Sequence, residues 1–224
     1  MRMNTTPRYI PALRYSMLTA LYDPIVALTT RERVFKRRLI EQAGIRDGSS
    51  VLDLACGTGT LALWVKRRVP DANVYGIDGD PKILTFAQQK AERDGISITF
   101  QHGLSTNLPY DDCSFDCVLC SLFFHHLSHE DKVRTIREVF RVLKPGGEFH
   151  VADWGKPQNV LMRVLFFLVR LLDGFENTRE NVRGELPDLF TAGGFQRVEE
   201  RGTVTPPVGT MALYAMKKAG TNNQ

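Results

Sequence analysis

Apolar and polar positions along the 224-residue chain change period repeatedly, and the changes mark out its elements. Two helical patterns come first, over residues 13–28 and 31–43, with Asp23-Pro24 breaking the run, and they are closed by Gly44 and Asp47-Gly48. From residue 49 onward short apolar runs alternate with helical ones. Ser50–Leu54 reads as a buried strand that ends in small residues and two glycines. Thr60–Arg68 follows as a helix carrying Leu61, Leu63, Trp64 and Val65. After a second strand, Asn73–Asp78, Asp80-Pro81 opens a helix with Asp as N-cap and Pro in the first turn. Its Ile83, Leu84, Phe86, Ala87 and Ala91 recur at helical spacing, and Gly95 ends it. A third strand is expected over 96–100, then a turn at Leu108-Pro109-Tyr110-Asp111-Asp112 and a strand, Phe115–Ser121. Ser128 with Asp131 resembles a capping box for a helix bearing Val133, Ile136, Val139, Phe140 and Leu143. Lys144-Pro145-Gly146-Gly147 should stop that helix and turn into a strand over 148–152.

Residues 160–172 then form an apolar helical run, Leu186–Ala192 a short helix, and 195–201 and 210–217 two strand-like runs joined by Pro206-Pro207. The alternation predicts an α/β fold: a mostly parallel sheet with helices on both faces and an antiparallel C-terminal hairpin. Ligands of such sheets lie beyond the carboxyl ends of the strands. That rule gathers Asp53 to Gly59, Asp78-Gly79, Leu104-Ser105, Ser121 to His126 and Asp153-Trp154 on one rim.

Composition narrows the partners. A net charge of +4 is mild, and the basic runs, 31–38 and Lys66-Arg67-Arg68, fall on expected helices, where a solvated face explains them better than nucleic acid does. The N-terminal residues lack the apolar stretch of a signal peptide, so a cytoplasmic protein is expected. The run 160–172 contains Arg163 and Arg170 and is too short to span a bilayer. It is read as a lid over the substrate, with a dimer contact or peripheral membrane contact as alternatives. Cys113, Cys117 and Cys120 have the spacing of an iron–sulfur site. A strand would turn Cys117 and Cys120 to opposite sides, so no metal centre is expected and they read as small hydrophobes.

The stretch Val51-Leu52-Asp53-Leu54-Ala55-Cys56-Gly57-Thr58-Gly59 resembles the first motif of class I S-adenosylmethionine (SAM) methyltransferases. The likeness continues through Gly76-Ile77-Asp78, Leu108-Pro109-Tyr110 with Ser114-Phe115-Asp116, Arg141-Val142-Leu143-Lys144-Pro145-Gly146-Gly147 and Ala192-Gly193-Gly194-Phe195. Their order is similar to the branch that includes the quinone-biosynthesis methyltransferases. The resemblance implies a Rossmann-like methyltransferase of one domain, 1–224. Its parts would be an N-terminal helical cap (1–45), a SAM-binding core (46–155), a helical lid insertion (156–192) and a C-terminal strand hairpin (193–219). It also implies roles. Ala55, Cys56, Gly57, Thr58 and Gly59 would follow the methionine part of SAM, and Asp53 would hold the loop and favour the ammonium group. Asp78 and Gly79 would meet the ribose, Leu104 and Ser105 would lie around the adenine end, and Ser121 would be a further cofactor-binding residue. Two positions depart from the family pattern: Ala55 replaces the first glycine of the loop, and Leu104 stands where many relatives carry an aspartate for the adenine amino group.

Methyl transfer from a sulfonium is an in-line displacement that yields a neutral leaving group, S-adenosylhomocysteine. The enzyme gains from alignment and exclusion of water, and needs a base only where the acceptor must lose a proton. His126, His125 and Asp153 are the candidate bases on the rim, and imidazole titrates near pH ~6.5. Tyr15, Tyr22, Phe123, Phe124 and Trp154 are candidates to line the acceptor cavity, with core packing as the other explanation for the rings. The prolines of the motif found in enzymes that methylate nucleic-acid amines are absent from Ser121-Leu122-Phe123-Phe124. The expected activity is methyl transfer to a small, partly apolar acceptor. A membrane-surface quinone or lipid methyltransferase and a SAM-binding protein without activity are the alternatives.

Overall fold

In the computed structural model of the protein, residues 31–158, 177–206 and 209–220 are described. The strands are β1 (Ser50–Leu54), β2 (Asn73–Asp78), β3 (Thr99–His102), β4 (Phe115–Ser121), β5 (Leu143–Trp154), β6 (Gln196–Val204) and β7 (Met211–Lys217). They form one sheet in the order β3-β2-β1-β4-β5-β7-β6. The first five pair in parallel, and β7 runs antiparallel between β5 and β6. Chain direction across the sheet reverses between β1 and β4, the switch point where open α/β sheets leave a crevice. The helices are α1 (Glu32–Ala43), α2 (Thr60–Arg68), α3 (Pro81–Arg93), α4 (His129–Val142), α5 (Arg179–Arg183) and α6 (Leu186–Ala192), with a 3₁₀ turn at Phe124–His126.

Both faces of the central strands are covered, which explains why they read as unbroken apolar runs. Val51, Cys117 and Leu119 pack on one face with Phe35 and Leu39 of α1 and Leu61, Ala62 and Val65 of α2. Leu52, Leu54, Val118 and Cys120 pack on the other with Ile136 and Val139 of α4 and Leu186 and Phe190 of α6. Each such side chain contributes roughly 1.5–3 kcal/mol by leaving water. Cys117 and Cys120 therefore sit on opposite faces, and Cys113 is exposed outside the strand.

The direction of α1 matters for the site. Near its end, Gln42 donates to the Tyr214 carbonyl at 3.0 Å, and Tyr214 is level with Val151 of β5. One turn earlier, Arg38 donates to the Thr203 carbonyl at 3.0 Å. Thr203 is level with Ala212 and, through it, with Asp153 near the end of β5. The first turn of α1 consequently reaches the carboxyl rim of the sheet.

Three boundaries differ from expectation. The strand expected at 148–152 begins at Leu143, because Leu143 pairs with Phe115 and the Gly146-Gly147 turn is absorbed as an irregularity that bonds the 218–219 backbone. The strand expected at 96–100 is displaced to Thr99–His102. Ile96 is bound back to α3, its N–H reaching the Ala91 carbonyl at 2.9 Å while Gly95 takes φ +65°, a Schellman ending. The run expected at 195–201 is shifted to Gln196–Val204, its pairing with β7 interrupted by two bulges. The patterns at 13–28 and 160–172, with Tyr15 and Tyr22, lie outside the described residues. Among the described residues, no helix is long and apolar enough to cross a membrane.

Candidate active site

The carboxyl rim at the switch point is built on the turn between β1 and α2. Ala55, Gly57 and Gly59 all take left-handed backbone, with φ of +55°, +53° and +72°. Glycine adopts this freely, whereas the β-carbon of Ala55 costs roughly 1–2 kcal/mol there. Gly59 is needed for room as well: a β-carbon on it would lie 2.8 Å from the Phe100 ring. The turn is pinned by the Cys56 N–H on the Ile77 carbonyl and the Gly59 N–H on the Cys56 carbonyl, both 2.9 Å. From α3, the Lys90 ammonium donates to the Thr58 and Thr60 hydroxyls at 3.2 and 3.0 Å.

Two carboxylates flank this turn. Asp78, at the end of β2, accepts the Gly57 N–H on one oxygen and the Asp80 N–H on the other, each at 2.9 Å. Burial raises its pKa, and those two N–H groups offset only part of the rise. Each carboxylate oxygen retains further acceptor capacity. Asp53 is 2 % exposed and accepts the Ala62 N–H at 2.9 Å, at the positive end of α2. Burial pushes its pKa up to about 7 even though the Lys36 ammonium and the Ala62 N–H both oppose the shift. The Cys56 thiol is buried too, and burial raises its pKa well above the ordinary value. Gly79 offers its carbonyl to the His102 ring at 3.1 Å. Leu104 is half-buried in a bridge with Asn107, the Ser105 hydroxyl meets that of Thr135 at 2.9 Å, and Ser121 is half-buried at the end of β4.

Beyond β4 and β5 lies a second polar cluster. Asp153 is fully buried and accepts five N–H groups: Phe123 (3.0 Å), Phe124 (2.6 Å), His125 Nδ1 (2.6 Å), Trp154 (2.7 Å) and the Asn181 amide (3.3 Å). Burial alone would raise its pKa, but the His125 imidazole and the Trp154 N–H outweigh it and hold the group below the usual carboxylate range. A carboxylate so occupied orients its neighbours and is not a free base. Because it can only accept, it holds a proton on His125 Nδ1. The His126 ring lies against that of His125 at a centroid distance of 3.9 Å. Burial, and next the charge of His125, push its pKa down to about 3, so His126 is neutral at physiological pH.

The aromatic candidates divide. Phe123 is half-buried; Trp154 is buried in the cluster on the α1 side of the sheet and stands edge-on to His125, with ring centroids 6.4 Å apart. Phe124 is fully buried against Phe149 and Phe190, on the core side of the sheet, and lines no surface. Sequence reasoning missed the groups that join this cluster from the far end of the chain. The Asn177 amide donates to the His126 carbonyl at 3.0 Å, and the Asn181 amide to the Trp154 carbonyl at 2.9 Å. Lys132, fully buried on α4, donates to the Asn177 carbonyl at 2.6 Å and to Glu180 at 2.7 Å. Only an unexpected lysine on an apolar helix face could have signalled this.

A family model described as "Methyltransferase domain" matches residues 51–147. The chain is 35% identical over 137 residues to the demethylmenaquinone methyltransferase of Deinococcus radiodurans, covering 61% of this chain and 56% of that protein. It is also 35% identical over 149 residues to the protein of the same name from Thermus thermophilus, covering 62% of this chain and 67% of that one. The match thus spans between half and two thirds of these relatives. Among solved structures, a SAM-dependent methyltransferase from Aquifex aeolicus superposes with a TM-score of 0.66 over 93% of this chain and 99% of that one, at 22% identity. At that identity the likeness speaks for the fold.

Proposed function

The chain belongs to the class I SAM-dependent methyltransferases, and on that premise we propose that it methylates a ring carbon of a small hydroxylated aromatic acceptor of the hydroquinone type. The observation that carries this reading is the Asp153–His125 pair on the same rim as the glycine turn, a proton acceptor of fixed tautomer. The names of the similar proteins, demethylmenaquinone methyltransferases, support the acceptor class.

The residues present suit SAM. Asp78 keeps acceptor capacity after its two backbone bonds, as a pair of ribose hydroxyls requires. A β-carbon at Gly57 would meet nothing within 4 Å, so the turn is open there, and Asp53 offers a buried negative charge to an ammonium group. When bound, SAM supplies a methyl group activated by positively charged sulfur, which leaves by in-line displacement. Gly57 and Gly59 hold the backbone close to its methionine portion. With SAM bound, His125 Nε2 would take the proton of a ring hydroxyl and so raise the electron density of the neighbouring ring carbon, the position to be methylated. The proton on that carbon would then pass to solvent while His125 returns its own to the oxygen, restoring the aromatic hydroxylated ring. His126, neutral and packed against His125 with its ring tilted by 43°, covers one side of His125. Phe123 and Trp154 supply the aromatic wall beside it.

The test is a product analysis. The protein is incubated with methyl-labelled SAM and, separately, a reduced naphthoquinone lacking its ring methyl, a catechol and a primary amine. Label on a ring carbon of the reduced naphthoquinone supports the reading; label confined to oxygen or nitrogen, or none at all, refutes it. His125→Ala should lower kcat while leaving SAM affinity within about twofold.

A further inference from the structure

Besides Lys90, a second cation acts on the glycine turn, and it precedes the residues that the family model matches. Lys36 stands on α1, is only 8 % exposed, and pairs with Glu32 one turn away at 2.5 Å. α1 starts at the carboxyl rim and runs away from it: Arg38 is level with the end of β5, and Lys36 and Glu32, earlier in the helix, lie still further toward the rim. The helix is locked there by Phe35 and Leu39, which share a cluster with Leu61 and Ala62 of α2. Ala62 is the residue whose N–H holds Asp53, and Asp53 has the same strand parity as Val51, on the α1 side of the sheet. The Lys36 charge acts on both Asp53 and Cys56, two groups of the turn. One buried ammonium therefore sits among two buried carboxyl groups at a single place on the rim.

That arrangement is complementary to a zwitterion. An α-amino acid end presents one carboxylate and one ammonium on adjacent atoms, which would meet Lys36 on one side and Asp53 with Glu32 on the other. We propose that Lys36 is the cofactor-positioning residue that receives the α-carboxylate of the methionine portion of SAM, making α1 one wall of the cofactor site. The proposal rests on the SAM-dependent reading above. In the empty site Glu32 neutralises Lys36; on binding, the ligand carboxylate shares the ammonium and the ligand ammonium replaces part of what Glu32 loses. A buried charge left without its partner is costly, which is why the pair is kept together on one helix.

The test uses three ligands that differ at one group each, measured by calorimetry on the whole chain. SAM has both charges, decarboxylated SAM keeps the ammonium and lacks the carboxylate, and 5′-methylthioadenosine lacks both. Wild type should prefer SAM over decarboxylated SAM by about tenfold or more. Lys36→Met should erase that preference, weakening SAM by about tenfold and the other two by less than twofold. Because Lys36→Met strands Glu32, the paired variant E32Q/K36M is measured alongside; it keeps the site neutral and should show the same loss of preference. Lys36→Arg should restore most of it. Equal affinity of wild type for SAM and its decarboxylated form, or an equal loss for all three ligands in E32Q/K36M, overturns the assignment. If wild type binds none of the three, the SAM-dependent reading itself fails and the Lys36 role falls with it.

Discussion

Replacing Asp53 by Asn isolates the electrostatic cost of the glycine turn. The side chain keeps its shape and can still accept the Ala62 N–H, but carries no charge. Burial moves the Asp53 pKa from 3.8 to about 7, a rise that Lys36 diminishes and Asp78 adds to. At roughly 1.4 kcal/mol per unit, that rise corresponds to about 4 kcal/mol of order-of-magnitude destabilisation once the group is ionised in both states. The sign follows from the direction. The folded state holds the proton more tightly than the unfolded one, so this cost is absent below pH ~4, accrues as pH rises, and is complete just above pH ~7. At pH 5 only about a third of it has accrued, so Asp53→Asn should gain about 2–3 kcal/mol more over wild type at pH 8 than at pH 5. For a chain of this length that widens the difference in Tm by about 5–10 °C, readable by circular dichroism at pH 5, 6, 7 and 8. The same substitution should weaken SAM and abolish the proton release that accompanies ligand binding near pH 6.5, measured by calorimetry in two buffers of different ionisation heat. Melting curves whose separation is independent of pH would refute the account of Asp53 as a buried, strained carboxylate.

Three further substitutions probe the remaining parts. Ala55→Gly removes a β-carbon from left-handed backbone and should raise stability by roughly 1 kcal/mol in urea titrations without loosening SAM. Lys132→Met leaves Glu180 buried beside no ammonium and should cost about 3–5 kcal/mol, whereas E180Q/K132M should recover most of it, both by chemical denaturation. Asp153→Asn keeps the shape but not the charge beneath His125, so the ring can place its proton on Nε2. The turnover number should fall by at least about a hundredfold while SAM affinity stays within twofold, and an unchanged kcat would remove His125 from proton transfer.

Local sequence carried the sheet well wherever one strand's neighbours were also its neighbours in the motif order. Asp80-Pro81 and Ser128 with Asp131 are caps whose chemistry is complete within four residues, and both are made: the Asp80 carboxylate accepts the Lys82 N–H at 2.9 Å and the Ser128 hydroxyl the Asp131 N–H at 3.2 Å. The Leu143 start of β5 was illegible for the opposite reason, since it depends on a pairing with Phe115 that no helix-stop signal contains. Ile96 failed similarly: an apolar residue after Gly95 reads equally as a strand start and as the hydrophobic end of a Schellman turn, and only the backbone bond to Ala91 distinguishes them.

The candidate site shows a sharper version of that limit. A sequence displays which carboxylates exist but not how many donors converge on them. Asp153 and Asp53 were both legible as rim acids, and as bare residue types they are equivalent. In the fold one has five N–H donors and a pKa held down, and the other has one backbone donor and a pKa near 7. The first is therefore suited to fixing an imidazole permanently and the second to ionising when a cation arrives. The difference comes from partners distant in sequence: Asn181, 28 residues beyond Asp153, on one side, and Lys36 on a helix that precedes the matched region on the other. On the proposed reading, the acid that meets the SAM ammonium is the one with fewer donors, and a ligand ammonium, by completing its shell, should stabilise the protein more at pH 8 than at pH 5. Thermal shifts with saturating SAM at the two pH values measure this directly, and a shift that is larger at pH 5 would contradict it.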